Sequence, residues 1–167
     1  MEYREVNTTR KLLVRLRDGE ELRAGIERAV DDAGADAGWF VGFGGLRNAT
    51  LWFYDQEERR YDDRTFDEPL ELTLCIGNVA SVDGNTFAHT HVTVSDMRGN
   101  SVGGHLESAE AFVGEIYVEL FEDAVERRSE ATPVLETESW RSAAIDADPT
   151  AHEATGLTLN HTGSGDD

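Results

Sequence analysis

The chain of 167 residues contains a single cysteine, Cys75, and a single lysine, Lys11. One cysteine cannot close an internal disulfide, which predicts a reducing, cytoplasmic setting. No apolar run approaches the roughly 20 residues needed to span a bilayer. The opening MEYREVNTTR lacks the apolar heart of a secretory signal. A soluble cytoplasmic protein with no membrane partner is therefore expected. A phosphate loop and an HExxH helix are also missing, which argues against the chemistries those motifs carry. No repeat or long linker divides the chain, and its length suits one domain with its own core.

Scarce lysine goes with abundant acid. Thirty-four Asp and Glu face fifteen Lys and Arg, a net charge of −19. In ordinary buffer such a charge opposes compaction and repels nucleic acid. In molar salt the Debye length falls to about 3 Å and most of that repulsion disappears. The composition predicts a halophilic, archaeal type of cytoplasm, so the acidity reports habitat rather than substrate.

Read in order, residues 1–9 are polar and predicted to be flexible. Residues 11–17 alternate, with Leu12, Val14 and Leu16 on one face of a strand. A helix is expected from near Glu20 to Gly34, its buried stripe formed by Leu22, Ile26, Ala29, Val30 and Ala33. Glu20 and Glu21 are placed in its first turn, where the helix dipole favours acid. Residues 39–41 form a short strand, and Gly42-Phe43-Gly44-Gly45 reads as a turn between strands. Strands follow over 46–54, more weakly over 60–66, and over 70–76 with a clear period of two. Residues 108–110 read as a connection, 112–121 as a long strand, and 122–130 as a short helix or loop. Residues 140–149 read as irregular, 157–159 as a last edge strand, and 161–167 as an acidic disordered tail. One domain over residues 10–160, with one helix and about seven strands, is an α+β fold.

The most informative stretch is residues 75–106. Asp83-Gly84 is a strong two-residue hairpin signal and sets Ile76 opposite His91 and Asn78 opposite His89. Leu72 and Leu74 fall on that same face, with Cys75, Val92 and Val94 opposite. A second turn, Asp96-Met97-Arg98-Gly99-Asn100, centred on Arg98, pairs residues whose numbers sum to 196, and His91 and His105 satisfy that sum. His89 and His91 leave one face of their strand, so three imidazoles converge if the register holds. Three neutral imidazoles are a recurrent Zn²⁺ ligand set with a fourth position open to water or substrate. Glu115 is the candidate fourth ligand, or an acceptor behind an imidazole. The alternative is that the three rings satisfy one another in a core or subunit seam. Cys75, inside an apolar strand, reads as a buried thiol. Trp39, Phe40, Trp52, Phe53 and Tyr54 read as core and interface anchors, and His152 and His161 as solvated. Both sheet faces look apolar, which predicts that a helix covers one and a second subunit part of the other.

Gly77-Asn78-Val79, Phe87-Ala88-His89-Thr90-His91 and Gly103-Gly104-His105-Leu106 resemble hallmark segments of the plants-and-prokaryotes conserved (PPC) domain, shared with plant AT-hook nuclear proteins. The segment Gly42-Phe43-Gly44-Gly45-Leu46, then Ala49-Thr50-Leu51, Glu115-Ile116 and Thr155-Gly156-Leu157 are similar to further family segments. The resemblance implies a strongly curved, largely antiparallel sheet with one main helix, a homotrimer, and a DNA-binding or DNA-associated regulatory role without enzymatic activity. The residues themselves add little to the DNA reading. There is no Arg-Gly-Arg-Pro hook, and the basic residues Arg10, Lys11, Arg15 and Arg17 make only a modest cluster, whereas phosphate binding wants a basic stripe. Two functions stay open: a trimeric DNA-associated module, or a zinc-dependent enzyme or small-ligand binder using His89, His91 and His105.

Overall fold

The computed structural model describes residues 5–131 and 136–141. Their order is β1 (Thr8–Leu16), α1 (Leu22–Asp32), β2 (Gly38–Asp55), β3 (Arg60–Phe66), β4 (Leu70–Val82), β5 (Asn85–Ser95), β6 (Ser101–Phe121), β7 (Glu126–Ala131) and β8 (Glu136–Arg141). Eight strands form one sheet, and α1 is the single helix among the described residues. This is the expected α+β fold. Every pairing is antiparallel except β4 with β7.

The sheet curls because two long strands are shared between its ends. Strand β2 pairs with both β4 and β6, while β5 joins β4 to β6. These four pairings make a closed circuit, and register shifts along β2 supply the bends. Glycines permit the tight crossing. A Cβ at Gly42 would lie 2.7 Å from the Glu115 carbonyl oxygen, and one at Gly44 would lie 2.1 Å from that of Val113. The glycine run is thus the middle of a long bent strand and not the expected turn. For the same reason residues 108–110 are strand: β6 runs unbroken past β2, with shifts where a connection was expected.

Helix α1 closes the inner face. Leu22, Ile26 and Val30 are fully buried in one core cluster with Phe40, Leu72, Val94, Leu106 and Ile116, each large apolar side chain contributing about 1.5–3 kcal/mol. Glu20 and Glu21 precede the helix and do not sit in its first turn. Glu21 is the N-cap, its carboxylate accepting from the Ala24 N–H at 2.6 Å. At the other end Gly34 N–H donates to the Asp31 carbonyl and Ala35 N–H to that of Val30, a Schellman closure. The helix also guards an edge. Strand β5 meets β6 only from His91 to Ser95, and the Glu27 carboxylate accepts from the Ala88 N–H at 3.0 Å on the unpaired half.

Two other expectations change. A bulge between Leu72 and Leu74 sends Leu72 into the core at 1 % exposure and leaves Leu74 outward at 39 %; a period-two reading cannot see an inserted residue. Residues 126–131 and 136–141 pair as a hairpin, where a helix or loop and then irregular chain were expected; partner strands here override weak local preference. The proposed strand at 157–159, the tail from 161, His152 and His161 lie outside the described residues.

Burial of Gly77 is the most demanding of these contacts, since a Cβ there would meet the His89 carbonyl oxygen at 2.0 Å and the Phe40 ring at 2.6 Å. Gly77→Ala is expected to cost about 3 kcal/mol or more, read as a lower urea midpoint with little change in slope. A midpoint equal to that of the unaltered chain would contradict this packing.

Candidate metal centre

The two turns place the histidines as expected. Asp83 and Gly84 have φ of 50° and 79°, a type I′ geometry, and the hairpin sets Ile76 opposite His91 and Asn78 opposite His89. At the next turn the Asp96 carboxylate accepts from the Arg98 and Asn100 N–H groups at 2.8 and 2.9 Å and from the Asn100 side-chain amide at 2.8 Å. These hydrogen bonds, led by the Asn100 side chain, hold Asp96 below the usual carboxylate range. The β5–β6 register that follows pairs His91 with His105.

His89, His91 and His105 therefore converge on the outer face. Ring centroids are 5.2 Å apart for His89 and His91, 5.0 Å for His89 and His105, and 5.2 Å for His91 and His105. One ligand nitrogen from each ring lies within 4.8 Å of the other two, and among the described residues these three form a possible metal-binding group. His89 Nε2 and His105 Nδ1 are 3.2 Å apart. Ligands on tetrahedral zinc at about 2.0–2.1 Å are separated by about 3.3 Å, so this pair already has chelating spacing. A 4.8 Å separation exceeds twice a Zn–N bond, so binding would draw the trio closer. Partial burial lowers the His91 pKa, which favours the neutral form a metal requires.

The other expected residues fall elsewhere. Glu115 sits on the exposed side of β6, opposite Arg15 in β1 and Phe43 in β2, outside the imidazole group. The Arg10 guanidinium donates to the Ala33 carbonyl at the C-terminal end of α1. Lys11 lies 3.5 Å from Glu119, and Arg15 faces Glu115 across the β1–β6 pair; Arg17 follows the end of β1. Burial pushes the Cys75 thiol up to about 12, so thiolate chemistry there is suppressed.

Sequence reasoning missed the wall of the site. Trp52 in β2 pairs with His105, and their rings stack at 5.8 Å with a 10° interplanar angle. Tyr61 in β3 lies 5.6 Å from Trp52 and 4.9 Å from Tyr54. With Phe53, these rings and the trio line an open cavity of about 410 Å³. Aromatic residues at 52–54 were visible, but three register shifts along β2 decide what they meet. Asn78, opposite His89, carries a buried side-chain oxygen that lacks a hydrogen-bond partner.

Among the described residues, fold and site together define a curled sheet with one helix and an imidazole cluster on its outer surface. Residues 3–122 match the Plants and Prokaryotes Conserved (PCC) domain. The chain belongs to that family. The match ends before residues 155–157, one of the segments that prompted the resemblance. A metal-containing protein of Archaeoglobus fulgidus is 33% identical, with 83% of this chain and 99% of that one aligned at a TM-score of 0.76. A plant- and prokaryote-conserved (PPC) protein of Pyrococcus horikoshii is 29% identical, covering 84% and 99% at 0.75. A candidate DNA-binding protein of Bacteroides thetaiotaomicron is 26% identical, covering 82% and 97% at 0.72. Bifunctional protein GlmU of Synechococcus sp. (strain JA-2-3B'a(2-13)) is 35% identical over 94 residues, 56% of this chain but only 14% of that protein's length. Among the described residues no helix is long and apolar enough to cross a membrane.

Proposed function

We propose that His89, His91 and His105 bind one divalent metal, Zn²⁺ by the nature of the donor set, and leave a coordination position open for a small ligand. The 3.2 Å spacing of His89 Nε2 and His105 Nδ1, with the third donor within 4.8 Å, carries this reading. A relative described as metal-containing, aligned over 83% of this chain, supports it. When bound, the metal would supply a Lewis-acid centre. Trp52, stacked on His105, would hold that imidazole's orientation.

A DNA-associated role is the second reading, supported by the Bacteroides relative. The charges speak against strong contact, because Glu119 and Glu115 sit beside Lys11 and Arg15. A homotrimer is the proposed assembly. Its support is an outward apolar band: Leu13, Trp39, Val41, Phe43, Leu74 and Tyr117 are 37–79 % exposed, more contiguous apolar surface than a monomer usually leaves in water.

Each reading has its measurement. Protein purified without chelator should hold about one zinc per chain, lost in His105→Ala, and a zinc excess of 100-fold over Kd should stabilise the metal-free form by about 2.7 kcal/mol. Acidification below about pH 6 should release the metal, because all three imidazoles must be neutral; neither stoichiometric metal nor stabilisation would end the proposal. In a salt-titrated anisotropy assay, direct DNA contact predicts weaker binding and a shallower log–log salt slope in the Arg15→Ala, Arg17→Ala double variant. Equal slopes would remove those residues from any DNA interface. Sedimentation should give three times the 18.5 kDa chain mass, falling to one in Phe43→Glu, whereas a monomeric parent protein would refute the assembly.

A further inference from the structure

We propose that the cavity beside the trio is the ligand recess of the metal centre, and that it takes a small aromatic molecule carrying one singly charged metal-binding group, such as an arene carboxylate. This rests on the metal reading above. One row of outward side chains crosses five strands: Ile76, His91, His105, Trp52 and Asp63 are successive cross-strand partners. A ligand atom at the metal therefore lies directly beside the Trp52 ring. Tyr61, a diagonal neighbour of Trp52, extends that wall and is 55 % exposed. The volume of about 410 Å³ falls in the range of small-molecule sites and exceeds what a lone water or acetate needs.

Charge narrows the class. Among the described residues no arginine or lysine lines the cavity, so a bound anion would look to the metal for its counter-charge. Asp63 is the cross-strand partner of Trp52 and stands at the β3 end of the row that carries the trio, whereas Asp62 is paired with Arg60. A phosphate ester, with close to two charges, meets more repulsion from Asp63 than a singly charged group does. A carboxylate brings one charge to the metal, and its ring gains aromatic contacts with Tyr61 and Trp52. Sugars also rest on aromatic faces, yet the cavity's aromatic wall offers only the Tyr54 and Tyr61 phenols and the Trp52 indole N–H as hydrogen-bonding groups.

The test uses the full chain loaded with Co²⁺, whose visible bands report direct coordination, and calorimetric titration with 2-naphthoate, acetate and phenyl phosphate. Naphthoate is expected to shift the Co²⁺ bands and to bind at least about tenfold more tightly than acetate. That preference should shrink to about threefold or less in Tyr61→Ala, on an exposed edge-strand position, and in Trp52→Leu, with metal content unchanged in Tyr61→Ala. Equal affinities for naphthoate and acetate, or a preference that survives Tyr61→Ala, would overturn the recess. Undiminished naphthoate binding to metal-free protein, or tighter binding of phenyl phosphate, would overturn it as well. If the protein takes up neither Co²⁺ nor Zn²⁺, the metal reading itself fails and the recess falls with it.

Discussion

Asp96 holds the hairpin register on which the imidazole cluster depends. Its carboxylate gathers two backbone N–H groups and one side-chain amide within a single five-residue turn, and the backbone closes from Asp96 N–H to Asn100 at 3.0 Å. Strand side chains alternate faces, so a slip of one residue would turn His105 inward and bring Leu106, now fully buried, to the surface. The apolar core resists that exchange from beneath while the turn resists it from the end. Cluster geometry and core packing are thus two readings of one register.

Hairpins of this kind are legible in sequence because their signals are local. Asp83-Gly84 has few conformations open to it, and the symmetry of residues 96–100 about Arg98 leads directly to the observed His91–His105 pair. The helix stripe was legible for the same reason. What escaped was non-local. The glycines at 42–45 look like a turn until the Glu115 and Val113 carbonyls are placed against them, and nothing near residue 42 announces where residues 113–115 will run. The bulge beside Thr73 and the meeting of Trp52 with His105 both follow from how strands drift past one another. The histidines could therefore be grouped from the sequence, but their aromatic surroundings could not.

The two faces of the sheet divide the labour. The inner face, sealed by α1, is nearly all aliphatic and supplies stability. On the outer face lie the imidazoles, the aromatic wall and the apolar band. Basic residues there are interleaved with glutamates, so the face presents little continuous positive potential. The proposal of a metal and a flat organic ligand, in preference to a phosphate backbone, rests on that composition. Family membership fixes the scaffold, while the chemistry must be judged from the site itself.

Glu27 has one more implication. Its side chain occupies the hydrogen-bonding position that a neighbouring strand would take at Ala88, and Asp31 on the same helix holds Thr86. The helix therefore works as a sentry on the sheet's open rim, beyond its part in filling the interior. Were α1 to lift, the rim would be free to recruit foreign backbone, and self-templated growth of the sheet could begin there.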